Sequence, residues 1–378
     1  MPRHPHIAAG VAASPPSPFS RLARRAAESG RPVHPLHIGD TWHDAPPGCR
    51  MEDLRGADID GLHRYSPVEG QPALTAALAV RIAGRHGVPT GPDDVLVTAG
   101  ATGGLGAVLG ALTVPGDEVL VLAPYWPLIT GVVRGAHAVP VAVDMLAPGL
   151  FDRLVAALTP RTVALYVNTP NNPTGHMLDA AGLGALVDFA RRHDLWLLAD
   201  ECYEDYAYAA PHVPLRALAP DRTFSVHSFS KAFGMAGNRC GYVISPPGLT
   251  TELRKISLHT FYATPTAAQH AALRALSGPG DAFVAARRPE YQAAGRRMAA
   301  ALDVPEPAAG TFLFVDLAAR LQGRPLLGFL ERCADEGLLL APGTSFGAYP
   351  THVRMCFTAE PPESTARATD LLRVLLGE

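Results

Sequence analysis

Between residues 95 and 245 the chain repeats one pattern: a short apolar run, a glycine- or asparagine-containing loop, then an alanine- and leucine-rich stretch of helical character. The runs are VLVTAG (95–100), EVLVLAP (118–124), TVALYVNTP (162–170), LWLLADE (195–201), RTFSVHSFS (222–230) and GYVIS (241–245). They read as strands buried on both faces, and helical segments such as GLGALVDFARRHD (182–194) separate several of them. The alternation predicts an α/β fold, a mostly parallel sheet with helices on both faces, in which ligands bind beyond the carboxyl ends of the strands. After residue 280 a long helical stretch, GTFLFVDL (310–317), EGLLLAPGTSFG (336–347) and HVRMCFT (352–358) predict a smaller α+β domain. The expected division is residues 1–45 as N-terminal arm and part of the small domain, 46–284 as the large domain and 285–378 as the small C-terminal domain. Residues 1–20, rich in Pro, Ala and Ser, read as a loose arm ahead of a short helix in FSRLARRAAESG.

A net charge of -3 with scattered basic residues leaves no electrostatic footprint for nucleic acid or a membrane surface. Nowhere do about 18 apolar residues run together, and the N-terminus lacks a signal core, so a cytoplasmic location is expected. The five cysteines, Cys49, Cys202, Cys240, Cys333 and Cys356, are widely spaced and never form a CxxC pair. Neither a disulfide framework nor a metal site is expected. Small-molecule chemistry fits best.

Of 32 basic residues only two are lysine, Lys231 and Lys255. Arg stays protonated, whereas Lys can lose its proton and act as a nucleophile, which singles out Lys231 in SVHSFSKAFGMAGNRCGY. Lys255, in TELRKISLH, reads as an exposed helical residue. In VTAGATGGLGAVLGAL a strand enters a glycine-rich turn and a helix, so free N–H groups face a point where a phosphate could sit; close helix packing is the alternative. Ser228, Ser230 and Arg239 supply hydroxyls and a guanidinium fork of the kind a phosphate uses. Asp200 closes the apolar run LWLLAD and requires a partner, a protonated ring nitrogen or, in the alternative, a helix N-terminus. NTPNNPTG (168–175) is a polar turn in which Asn172 could offer its amide to a ligand.

Taken together, NTPNNPTG, ADECY and SFSKAFGMAGNRCGY resemble the class I/II pyridoxal-phosphate-dependent aminotransferases, the fold-type-I architecture of aspartate aminotransferase. The resemblance runs from about residue 34 to residue 358 with the motifs in the family's order. It implies amino transfer between an L-amino acid and a 2-oxo acid, with pyridoxal 5'-phosphate as cofactor. Lys231 would form a Schiff base with that cofactor and later shuttle a proton, and Asp200 would pair with the pyridine nitrogen. Tyr203 and Asn172 would bond the ring's phenolic oxygen, and Trp126 in APYWP would cover the ring. Ala101, Thr102, Ser228 and Arg239 would hold the phosphate, joined by Tyr65 of a neighbouring subunit, which implies a homodimer with shared active sites. Arg354 would clamp the substrate carboxylate, approached also by Gly39 and Asn172.

Two departures from the family pattern bear on specificity. DTWHD follows Gly39 where the family often has Glu-Pro-Asp-Phe, which is expected to bring Trp42 and His43 toward the substrate entrance. HTFYATPTAAQ (259–269) is unusually aromatic, and Phe261 and Tyr262 suggest an apolar or aromatic side-chain pocket. The same fold also supports eliminating, cyclising and replacement enzymes, which form the competing reading. A cofactor-sensing regulator would need a nucleic-acid-binding module, and the residues before the sheet carry none.

Overall fold

The computed structural model describes residue 7, residues 9–13 and residues 19–378. Most of the expected arm lies outside these; its described part holds a one-turn helix, Ala9–Ala12, beside the helix Ile129–Gly135.

Seven strands form the large sheet: β1 (Val95–Thr98), β2 (Glu118–Ala123), β3 (Val139–Asp144), β4 (Thr162–Asn168), β5 (Trp196–Asp200), β6 (Thr223–Ser228) and β7 (Gly241–Ile244). Their spatial order is β1-β7-β6-β5-β4-β2-β3, with β7 antiparallel to both neighbours and the other pairs parallel. The mostly parallel sheet expected from the sequence is therefore present. Strand β3 was not anticipated: it lies at the sheet edge, contains Pro140 and leaves Val139 45% exposed, so it lacks an unbroken apolar run.

Successive side chains on each strand serve opposite faces. Val119, Val121, Tyr166, Leu198 and Val226 pack with Leu105 and Val108 of the helix Gly100–Leu112. Leu120, Leu165, Val167 and Leu197 pack instead with Leu183, Leu186 and Phe189 of the helix Ala180–Arg192. Each such side chain contributes roughly 1.5–3 kcal/mol by burial. A one-residue slip would swap the two sets between cores shaped for different side chains, so the register that aligns the strand ends is firmly specified.

The small sheet is antiparallel, β8 (Phe312–Asp316), β9 (Ala341–Pro342) and β10 (His352–Cys356) in the order β8-β10-β9. Its core joins Val315, Val353 and Met355 to Phe329 and Leu330 of the helix Leu326–Asp335. Leu22 and Ala26 complete it from Ser20–Glu28, the helix expected in FSRLARRAAESG, which is also tied down by an Arg25–Asp335 pair at 2.5 Å. The helix Pro279–Ala301 belongs to both bodies: Val284 packs in a core of the large sheet, whereas Tyr291, Ala294 and Met298 enter the core of the small one. A boundary after residue 284 falls inside this helix.

Candidate active site

Strands β4, β5 and β6 end side by side at Asn168, Asp200 and Ser228, and all three residues line one cavity of about 220 Å³. Asp200 is almost wholly buried, and burial raises its pKa. Hydrogen bonds oppose that rise: the Tyr166 hydroxyl donates to Oδ2 at 2.6 Å, and Cys202 acts through its thiol and through its N–H, which donates to Oδ1 at 3.4 Å. Asn168 donates to the Asp200 carbonyl at 2.9 Å and accepts from the Asn172 N–H at 2.7 Å. The NTPNNPTG turn is thereby fastened to the end of β5.

Across the cavity Lys231 lies in the short helix Phe229–Ala232, whose first turn is capped by Ser228 Oγ accepting from the Ser230 N–H at 3.0 Å. Its Nζ donates to the carbonyl of Gly39. Burial lowers the pKa of this amine, with Asp40 acting in the opposite sense, which makes its nucleophilic form easier to reach than that of an exposed lysine.

At the far end the first turn of Gly100–Leu112 presents Ala101 and Thr102 to the cavity together with Ser228, Ser230 and Arg239. Two glycines make this arrangement fit. Gly100 has φ +69, and a Cβ there would lie 2.6 Å from Arg239 Nη2; a Cβ on Gly241 would lie 2.7 Å from the Gly100 carbonyl carbon. The guanidinium thus folds over the start of the helix, whose N–H groups and dipole favour an anion. Trp126 is half-buried in the cavity wall, and Tyr203 is buried edge-on to Phe312 at 5.6 Å.

Arg354 arrives from the small sheet, on β10, and is only 5% exposed. It donates to Asn172 Oδ1 at 2.9 Å and to the His37 carbonyl, while Nε has no partner among the described residues. The guanidinium carbon lies 4.4 Å from the Phe312 ring centre and 4.8 Å from that of Phe346. Burial pushes its pKa down to about 10, and among the described residues no carboxylate pairs with it. Gly39 sits beside this stack: a Cβ there would be 2.6 Å from Phe312 Cζ.

The structure therefore brings together Ala101, Thr102, Trp126, Asn172, Asp200, Tyr203, Ser228, Lys231 and Arg239 around one cavity, with Gly39 on Lys231 and Arg354 on Asn172. Tyr65 is elsewhere. It is 87% exposed in a separate groove shared with Phe261 and Tyr262, its ring 4.8 Å from that of Tyr262. Contrary to expectation, Trp42 and His43 do not line the cavity; Trp42 packs on Tyr291 and His43 meets Glu290, both on the helix Pro279–Ala301. Lys255 is exposed and paired with Glu252, as expected. Sequence reasoning missed Cys202 in the cavity wall, the Phe312–Phe346 stack and Tyr166. Cys202 alone carried a signal, inside ADECY; the aromatic residues sit in apolar strands and loops that read as ordinary core.

Residues 34–370 match the family model for aminotransferase class I and II. The chain belongs to that family. This aminotransferase is 34% identical to a probable aspartate/prephenate aminotransferase of Thermus aquaticus, over 85% of this chain and 86% of that one. It is 31% identical to an arginine–pyruvate transaminase of Pseudomonas aeruginosa, over 95% and 94% of the two chains. Among solved structures, the aspartate aminotransferase from Thermus thermophilus with maleate superposes with a TM-score of 0.89 at 31% identity, covering 98% of this chain and all of that one. The aminotransferase moves an amino group between an amino acid and an oxo acid. Among the described residues no helix is long and apolar enough to cross a membrane.

Proposed function

We propose that the chain carries out amino transfer with pyridoxal 5'-phosphate bound in this cavity, in the cytoplasm, as one half of a homodimer. The donor set fits that group end to end. The helix turn at Ala101 and Thr102, with Ser228 and Arg239, suits a phosphate dianion, and Asp200, two strands from β7, suits a protonated pyridine nitrogen. Trp126 offers a flat face to the ring, and Tyr203 and Asn172 offer donors to its phenolic oxygen. Bound there, pyridoxal 5'-phosphate supplies an electron sink that makes the α-proton of an amino acid removable.

The protein's own groups do the rest. Lys231 would be the amine that holds the cofactor in place, and its Nζ would take the α-proton of the substrate and return it. Arg354, joined by the backbone at Gly39, fixes the α-carboxylate. The observation that carries this reading is the charge of Arg354: a buried guanidinium without a carboxylate partner is costly unless an anionic ligand completes it. Tyr65, exposed beside Tyr262, is suited to reach the phosphate of a second copy's site. Placed there, the same aromatic groove favours an apolar or aromatic amino donor.

The test is the visible absorbance of the holoenzyme as single amino acids are added without an oxo acid, with 2-oxo acid and ammonia assayed in parallel. One 2-oxo acid per site with conversion to the aminated cofactor is expected. Ammonia release with the aldehyde form retained would move the protein to the eliminating enzymes. A clear preference for aspartate over phenylalanine would refute the aromatic pocket.

A further inference from the structure

Asp200 is held from behind by a residue that the reaction itself does not touch. Asn168 is the residue of β4 directly opposite Asp200 in the sheet, and Tyr166, two positions earlier, shares its face. The phenol spans that offset, running along the strand so that its hydroxyl reaches Asp200 Oδ2 at 2.6 Å. The ring is fully buried among Leu105, Val108 and Leu198, so its hydroxyl has no access to water and its bond to the carboxylate is the one that its position permits. The remaining bond to the carboxylate, from the Cys202 N–H, is long at 3.4 Å. The Cys202 thiol also favours ionisation of Asp200, by less than the Tyr166 hydroxyl, whereas the Glu201 carboxylate works against it.

We infer that Tyr166 is the positioning residue that keeps Asp200 ionised and turned toward the cavity. The inference rests on the reading of Asp200 as the partner of the pyridine nitrogen. A charge-assisted hydrogen bond inside a dry core is shorter and stronger than a neutral one, and here it offsets the burial of a carboxylate that, among the described residues, pairs with no cation. Loss of the hydroxyl leaves a carboxylate that is more readily protonated, and a neutral carboxyl no longer attracts a protonated ring.

The experiment is a double-mutant cycle on the affinity for pyridoxal 5'-phosphate, measured by equilibrium dialysis from pH 6 to pH 9 with Tyr166→Phe, Asp200→Asn and the double variant. Tyr166→Phe keeps the ring that fills the core. With Asp200 in place it is expected to weaken binding about tenfold or more, with a loss that grows toward low pH; added to the Asp200→Asn variant, it is expected to change binding less than twofold. Equal losses in both backgrounds, or none in either, would overturn the inference by showing that the hydroxyl is packing or idle. If Asp200→Asn itself leaves the affinity intact, the reading of Asp200 fails and the inference falls with it, a result distinct from the previous two.

Discussion

Replacement of Arg354 by Met separates function from stability, and the structure gives the size of both effects. Holding a guanidinium at about 10 instead of 12.5 costs about 3 kcal/mol of folding stability, at about 1.36 kcal/mol per pH unit. Removing the charge recovers that amount. Against it stand the contacts to Phe312 and Phe346, roughly 0.5–2 kcal/mol each, and the bonds to Asn172 and the His37 carbonyl, about 1 kcal/mol each. The terms largely cancel, so Arg354→Met in the apoprotein is expected to change the unfolding free energy by no more than about 3 kcal/mol. Breaking a paired buried arginine would cost about 3–5 kcal/mol. Activity behaves differently. Two charge-assisted bonds to a substrate carboxylate are worth roughly 1.5–3 kcal/mol each, which predicts a fall in kcat/KM of about 10²–10⁴-fold. The assay compares an amino acid with the corresponding amine that lacks the carboxylate, alongside urea unfolding of the apoprotein. Equal losses for the two donors, or a stability loss of several kcal/mol, would refute the reasoning.

Three other outcomes follow from the same geometry. Lys231→Ala should abolish turnover and the absorbance band of the holoenzyme while leaving phosphate-end affinity largely intact; normal turnover would remove Lys231 from the chemistry. Glu201 is fully buried, and although burial alone would raise its carboxyl, His212 and the neighbouring histidines hold it at about 2 instead of 4.5. A depressed folded pKa stabilises the protein above pH 4.5 and loses that contribution as pH falls toward 2, so Glu201→Gln should cost about 3 kcal/mol at neutral pH and flatten the acid limb of the urea stability curve by one proton; an unchanged limb would refute it. Tyr65→Ala should weaken pyridoxal 5'-phosphate binding although the residue lies outside its own chain's cavity, and sedimentation should show a dimer; a monomer with normal affinity would exclude the shared site.

The sequence made the large sheet and the strand-end chemistry legible because both obey local rules. A strand buried on two faces reads as an apolar run, and Asn168 and Asp200 at strand ends and Gly100 at a helix start break that run visibly. Strand β3 escaped because an edge strand tolerates Pro140 and a half-exposed Val139. Tyr166 escaped because a tyrosine within TVALYVN is indistinguishable from core until its hydroxyl is seen on Asp200. Trp42 and His43 were misplaced because their contacts are with Tyr291 and Glu290, about 250 residues away in sequence, and nothing local announces a partner so distant. Tyr65 lies exposed on the surface of the single chain, and the place proposed for it in a site would require a second one.

The helix Pro279–Ala301 acts as a caliper. One of its ends is set in the body that carries Lys231 and Asp200, and its middle is set in the body that carries Arg354. The rod thus ties the body that carries Lys231 to the body that carries Arg354, and along it Tyr291 also holds the Gly39 loop through Thr41. Pro289 lies inside the rod between these two anchorages, so a substitution there acts on how the two bodies are joined without touching any side chain that lines the cavity.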